Sequence, residues 1–161
     1  MIAFHLSPHR IGRDTKELSH FPLGLARIEQ LMGIDAIAKR HVADPNADRK
    51  ALDAAFADAM RAVAKQYPDD LDAATLYAEA MMNLRPWGLW THEGQPAPGT
   101  EEIVATLEAV LQRDPNHPGA IHYYIHTVEA SNHPERATPY ADRLGELVPG
   151  AGHLVHMPSH I

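Results

Sequence analysis

A chain of 161 residues, 45% of them apolar, can close a hydrophobic core and is not of disordered composition. Its formal charge of −7, with no Lys/Arg cluster, argues against a nucleic-acid or anionic-membrane partner. The lack of cysteine excludes disulfides and thiolate metal sites, and no apolar run approaches the roughly 18 residues of a membrane span. The first ten residues do not read as a signal peptide, because the apolar stretch is short and its basic residues follow it. A soluble, cytoplasmic protein is the default expectation, although the compartment itself is not written in the chain.

Residues 1–21 carry scattered His, Arg and Pro without a clean period and are expected to be irregular; His5, His9 and His20 receive no role. From Pro22 to about His41, Leu25, Ile28, Leu31, Met32 and Ile37 recur at helical spacing. Asp48 is a good N-cap for the next helix, whose stripe is Leu52, Phe56, Ala59, Met60, Val63 and Tyr67, and Pro68 stops it. Asp69 and Asp70 cap a helix to about Leu84 that buries Leu71, Ala74, Tyr77, Ala78 and Met81. Residues 86–99, with Trp87 and Trp90, read as an irregular loop. Thr100 is expected to cap a helix burying Ile103, Leu107, Val110 and Leu111, with Glu101 and Glu102 at its positive end and Arg113 at its negative end.

After the Asp114–Pro118 turn, a helix is expected to Ser131, with His117 and His133 serving as turn and capping residues. Pro134 opens the next, which restarts at Thr138 because Pro139 follows so closely; Ala137, Ala141, Leu144 and Leu147 are its buried face. Charged pairs such as Glu135/Arg136 and Asp142/Arg143 read as a solvated face, and a last helix starts near Gly152. No alternating strand pattern occurs, so the fold is all-α, with about seven helices over residues 22–161.

The chain repeats. Pro115 and Pro149 lie 34 residues apart, as do His122 and His156, and His126 and His160. Pro68 and Pro115 are separated by the same period plus a 13-residue insertion, the Trp87–Pro98 loop. A 34-residue helix–turn–helix unit closed by proline, with Ala137, Ala141, Leu144 and Pro149 in one unit and Tyr77, Ala78, Met81 and Pro115 in the unit before, resembles the tetratricopeptide repeat. Ile125 departs from it, standing where that family prefers a small residue, and Pro158 falls inside the last helix. The runs Tyr67–Glu79 and Gly150–His160 are also similar to long bacterial tetratricopeptide-repeat proteins of unassigned activity. The resemblance implies an α-solenoid continued by further C-terminal repeats. Because each repeat buries its apolar face against a neighbour, exposed apolar surface is expected at the last unit.

In a helix, residues i, i+4 and i+7 share a face, so His122, His126 and Glu129 point the same way, and so do His156 and His160. The resemblance implies that these positions line the concave groove, where the two His-x-x-x-His pairs face each other; Thr75 and Glu79 occupy the aligned positions one unit earlier. At least one of Tyr123 and Tyr124 is expected to be buried. Such a set suits a divalent transition metal (Zn, Cu, Fe or Ni), with Glu129 or Glu79 as ligand or orienting carboxylate. The zinc-protease pattern His-Glu-x-x-His is absent, as are a Gly-rich phosphate loop and a nucleophile elbow. The leading expectation is therefore an interaction scaffold whose groove takes a peptide or partner protein, with Trp87 and Trp90 either pinning the insertion or acting as a lid. The competing expectation is a metalloprotein, a hydrolase or oxidase, with water on the metal as nucleophile and Glu129 or Glu79 as general base. No cofactor is fixed by the sequence.

Overall fold

The computed structural model describes the backbone of residues 23–161 and the side chains from Met32 onward. The expected irregular segment 1–21, its three histidines and the apolar positions Leu25, Ile28 and Leu31 lie outside the described residues or side chains. Within them the protein is all-helical. Seven α-helices follow in order: α1 Leu23–Arg40, α2 Arg49–Gln66, α3 Leu71–Met82, α4 Thr100–Arg113, α5 Pro118–Val128, α6 Thr138–Leu147 and α7 Gly152–His156. Short 3-10 turns cover Pro134–Ala137, ahead of α6, and Met157–His160, after α7.

The helix starts follow from local chemistry. The Asp48 carboxylate accepts from the amides of Lys50 (3.0 Å) and Ala51 (3.3 Å), and that of Asp70 from Ala73 (2.9 Å). Both residues have the extended backbone of an N-cap. His117 caps α5 through Nδ1, which accepts from the Ala120 amide at 3.2 Å, and Pro118 supplies the preset first position. Replacing Asp70 by Ala is expected to cost about 1 kcal/mol, measured as a lower urea midpoint at unchanged slope.

Thr100 does not cap α4. Gly99 occupies that position with φ 92°, a backbone that a side chain disfavours, and a Cβ there would meet Met81 Cε at 3.1 Å. Thr100 is the first helical residue; it is fully buried, and its hydroxyl donates to the Leu89 carbonyl at 2.7 Å. Helix α5 is shorter than expected, ending at Val128 instead of Ser131. Arg136 stays exposed, as expected, and pairs with Glu108 of α4, which also accepts from the Tyr124 hydroxyl at 2.6 Å. The last helix is divided. Pro158 has no amide to continue the α ladder, so the chain tightens into a 3-10 turn after His156.

Each helix packs on the next, from α1 on α2 through to α5 on α6. Helix α3 also meets α5, and α5 meets the 3-10 turn Met157–His160. Helix α5 is therefore flanked on one side by α3 and on the other by the C-terminal turn. Its inner face (Ala120, Ile121, Tyr124, Ile125 and Val128) is buried in the main core with Leu107, Leu111 and Leu144. Met157 is fully buried in the same core and anchors the C-terminal turn. Among the described residues no helix is long and apolar enough to cross a membrane.

The insertion between α3 and α4 is fastened to α5. The Trp90 indole donates to the Thr127 carbonyl at 2.6 Å, and Trp90 forms an antiparallel bridge with Pro96. Gly94 (φ 74°) sits so close to Asn132 that a Cβ would come within 2.1 Å of its side chain. Trp87, in contrast, is 94% exposed and holds a left-handed backbone, φ 62°. The two tryptophans are thus split: Trp90 is the fastening, and Trp87 projects into solvent.

Candidate metal centre

Helix α5 directs its core stripe inward and leaves His122, Tyr123, His126 and Glu129 along its edge. The C-terminal segment places His153, His156 and His160 beside them. His122 Nε2 lies 3.0 Å from His153 Nε2, with the rings edge to face and centroids 5.0 Å apart. His126 lies 4.9 Å from His122 and 6.2 Å from His153, centroid to centroid. One nitrogen from each of His122, His126 and His153 falls within 4.8 Å of the others. A second group, His126, Glu129 and His160, meets the same criterion and shares His126.

Glu129 joins the two groups. One carboxylate oxygen lies 3.1 Å from His126 Nδ1 and the other contacts His160 Nδ1. A carboxylate accepts only, so both Nδ1 atoms carry protons in these contacts, and Nε2 is the nitrogen each ring can offer to a metal. This is the arrangement in which a carboxylate orients a metal-bound imidazole from behind. With both oxygens engaged, Glu129 is not free to act as a general base.

His122 is held differently. It is buried, at 7% exposure, and its Nδ1 has no hydrogen-bond partner. Burial first, then the neighbouring imidazoles of His126, His153 and His160, pull its pKa down to about 4. The ring is therefore neutral at physiological pH and does not compete with a metal through its own proton. In the metal-free chain this makes stability pH-dependent. With the folded pKa below the unfolded value near 6.5, the unfolded state binds more protons in between. The stabilising contribution is complete above about pH 6.5 and is lost as pH falls through about 4. After allowance for solvent screening it amounts to about 2 kcal/mol. Urea midpoints at about pH 7 and about pH 4.5 should diverge more for the natural chain than for His122→Leu.

Tyr124 is buried, as one of the two tyrosines was expected to be. Tyr123 lies 4.9 Å from the His122 ring. Burial and the nearby Glu79 charge push its phenol up to about 12, so it stays neutral beside the imidazoles.

The structure brings together His122, His126, Glu129 and His160, and it adds His153, which the repeat spacing did not select. His156 does not face His122, as a strict 34-residue register requires; it lies against His160, Nε2 to Nε2 at 3.2 Å. His153 takes the place opposite His122, three residues earlier, because α7 and its 3-10 turn shift the chain by nearly a helical turn. The signal for His153 was present: positions 153, 156 and 160 are spaced i, i+3, i+7 and share a helical face. Thr75 does not line a groove. It is buried at 3% exposure, and its hydroxyl donates to the Leu71 carbonyl at 2.8 Å. Glu79 stands in neither cluster; it accepts from the Asn83 amide at 2.5 Å and lies 3.7 Å from Arg40.

No protein-family model, curated protein or solved structure matches this chain. What the site can do follows from its own atoms. Nitrogens about 2.0–2.1 Å from a tetrahedral ion sit about 3.3 Å from each other. The 3.0 Å between His122 and His153 nitrogens is close to that separation. Two unprotonated lone pairs at this distance repel, so the contact needs a proton or a cation between them.

Proposed function

We propose that this domain binds a divalent transition-metal ion through His122, His126 and His153, on a framework of stacked helix–turn–helix units of the tetratricopeptide-repeat type. The observation that carries the reading is the convergence of three imidazole nitrogens, from two separate elements, within 4.8 Å. Imidazole donors select Zn, Cu, Fe or Ni over the hard ions Ca and Mg. Three protein nitrogens leave a fourth position for water or an exogenous ligand, as in catalytic zinc sites rather than closed structural ones. Exposure of His153 gives an ion access from solvent. The consecutive packing of helices, and the contacts of α5 with both α3 and the C-terminal turn, support the repeat framework.

A second reading, a groove for a peptide or partner protein, is favoured by the exposure of His153, His156 and His160 along the same edge, where they can reach a partner's carboxylate. Metal content separates the two. The chain, purified without a polyhistidine tag and dialysed, is expected to retain stoichiometric Zn, Cu, Fe or Ni, and His122→Ala and His153→Ala are expected to lose it. Absence of bound metal, with no thermal shift on adding any of these ions, would leave the peptide reading in its place.

A further inference from the structure

His156 and His160 stand outside the three-imidazole set, and their geometry has its own logic. Their Nε2 atoms are 3.2 Å apart, and the other nitrogen of each ring is already engaged. His160 Nδ1 bonds the Glu129 carboxylate, which fixes its proton there and frees Nε2. The Ser159 hydroxyl donates to the His156 carbonyl at 2.8 Å, so its oxygen is left to accept from His156 Nδ1 at 3.2 Å. Both rings are thereby set in the tautomer that bares Nε2, and the two bare nitrogens converge. Such a pair needs a proton or a cation between its two nitrogens. Their separation matches the spacing of two nitrogens on one tetrahedral ion, about 3.3 Å.

We infer that the chain holds a second divalent transition-metal ion on His156 Nε2 and His160 Nε2, completed by solvent, and that Glu129 couples it to the first. This rests on the first ion residing at His122, His126 and His153. The coupling is structural: one carboxylate holds a ligand of each site, through His126 on one oxygen and His160 on the other. The rings of His126 and His160 are 5.4 Å apart, centroid to centroid, so the two ions are close neighbours. Filling either site locks Glu129 and pre-orients the imidazole of the other. The ligand class is Cu(II) or Zn(II), which accept imidazole with water in the remaining positions. The second site, with two protein ligands and greater exposure, is the weaker and more exchangeable.

The test is titration of the tag-free chain with Cu(II), followed by calorimetry and electron paramagnetic resonance. Two equivalents are expected, with dipolar broadening between neighbouring ions in the doubly loaded protein. His156→Ala should bind one equivalent and lose the broadening, while His122→Ala should keep one equivalent. Glu129→Gln, whose amide cannot accept from both rings, should weaken both sites by about 10- to 100-fold. One equivalent in the natural chain, unchanged by His156→Ala, overturns the second site and leaves the first standing. Two equivalents in both the natural chain and His156→Ala also overturn it, by placing the second ion elsewhere. No bound copper overturns both sites together. Two equivalents whose affinities ignore Glu129→Gln overturn the coupling.

Discussion

Adding Zn(II) at about 100 times its dissociation constant should stabilise the folded chain by about 2.7 kcal/mol from the three-imidazole site alone. For a domain of this size that is a rise in melting temperature of about 5–10 °C. The effect should vanish in His126→Ala, which removes the one imidazole shared by both groups of converging donors. Differential scanning calorimetry with and without a chelator measures it. An equal shift in the variant would place the stabilising ion away from α5. The shift should also shrink as pH falls, because protons compete with the metal for the imidazole nitrogens.

The second large effect concerns the core side of the same helix. Ile125 lies between the two α5 histidines in sequence but turns into the core, with no exposed surface. Ile125→Ala should destabilise the chain by about 3 kcal/mol, through lost burial and the cavity left behind. Chemical denaturation reads this directly. The position also tests the repeat framework. The tetratricopeptide repeat that the sequence resembles favours a small residue there, and helix contact as tight as in that repeat would make alanine neutral or beneficial. A buried isoleucine in a filled core makes it costly. A change below about 1 kcal/mol would mean that the surrounding helices close over the gap. Because Ile125 holds α5 against the core, the variant should also bind metal more weakly, with unchanged stoichiometry.

Much of the chain's local structure is legible without coordinates. Asp48, Asp70 and His117 announce their helices because a side chain that accepts from the first amides acts over only a few residues. The buried stripes, such as Phe56, Met60 and Val63 or Ile103, Leu107 and Val110, follow from helical period alone. Thr100 shows where local reading stops: it was expected to cap α4, and the cap fell to Gly99 because Thr100 is drawn into the core to bond Leu89.

The sequence by itself determined an all-α chain, the helix carrying His122, His126 and Glu129 on one edge, and a histidine-rich C-terminal segment to meet it. Only the tertiary structure decided which imidazoles meet. A repeat period sets the distance between like positions along the chain, but the facing residues of two packed elements depend on how far one slides along the other. Here Met157 is buried and Pro158 tightens the turn, and that slide brings His153, in place of His156, against His122.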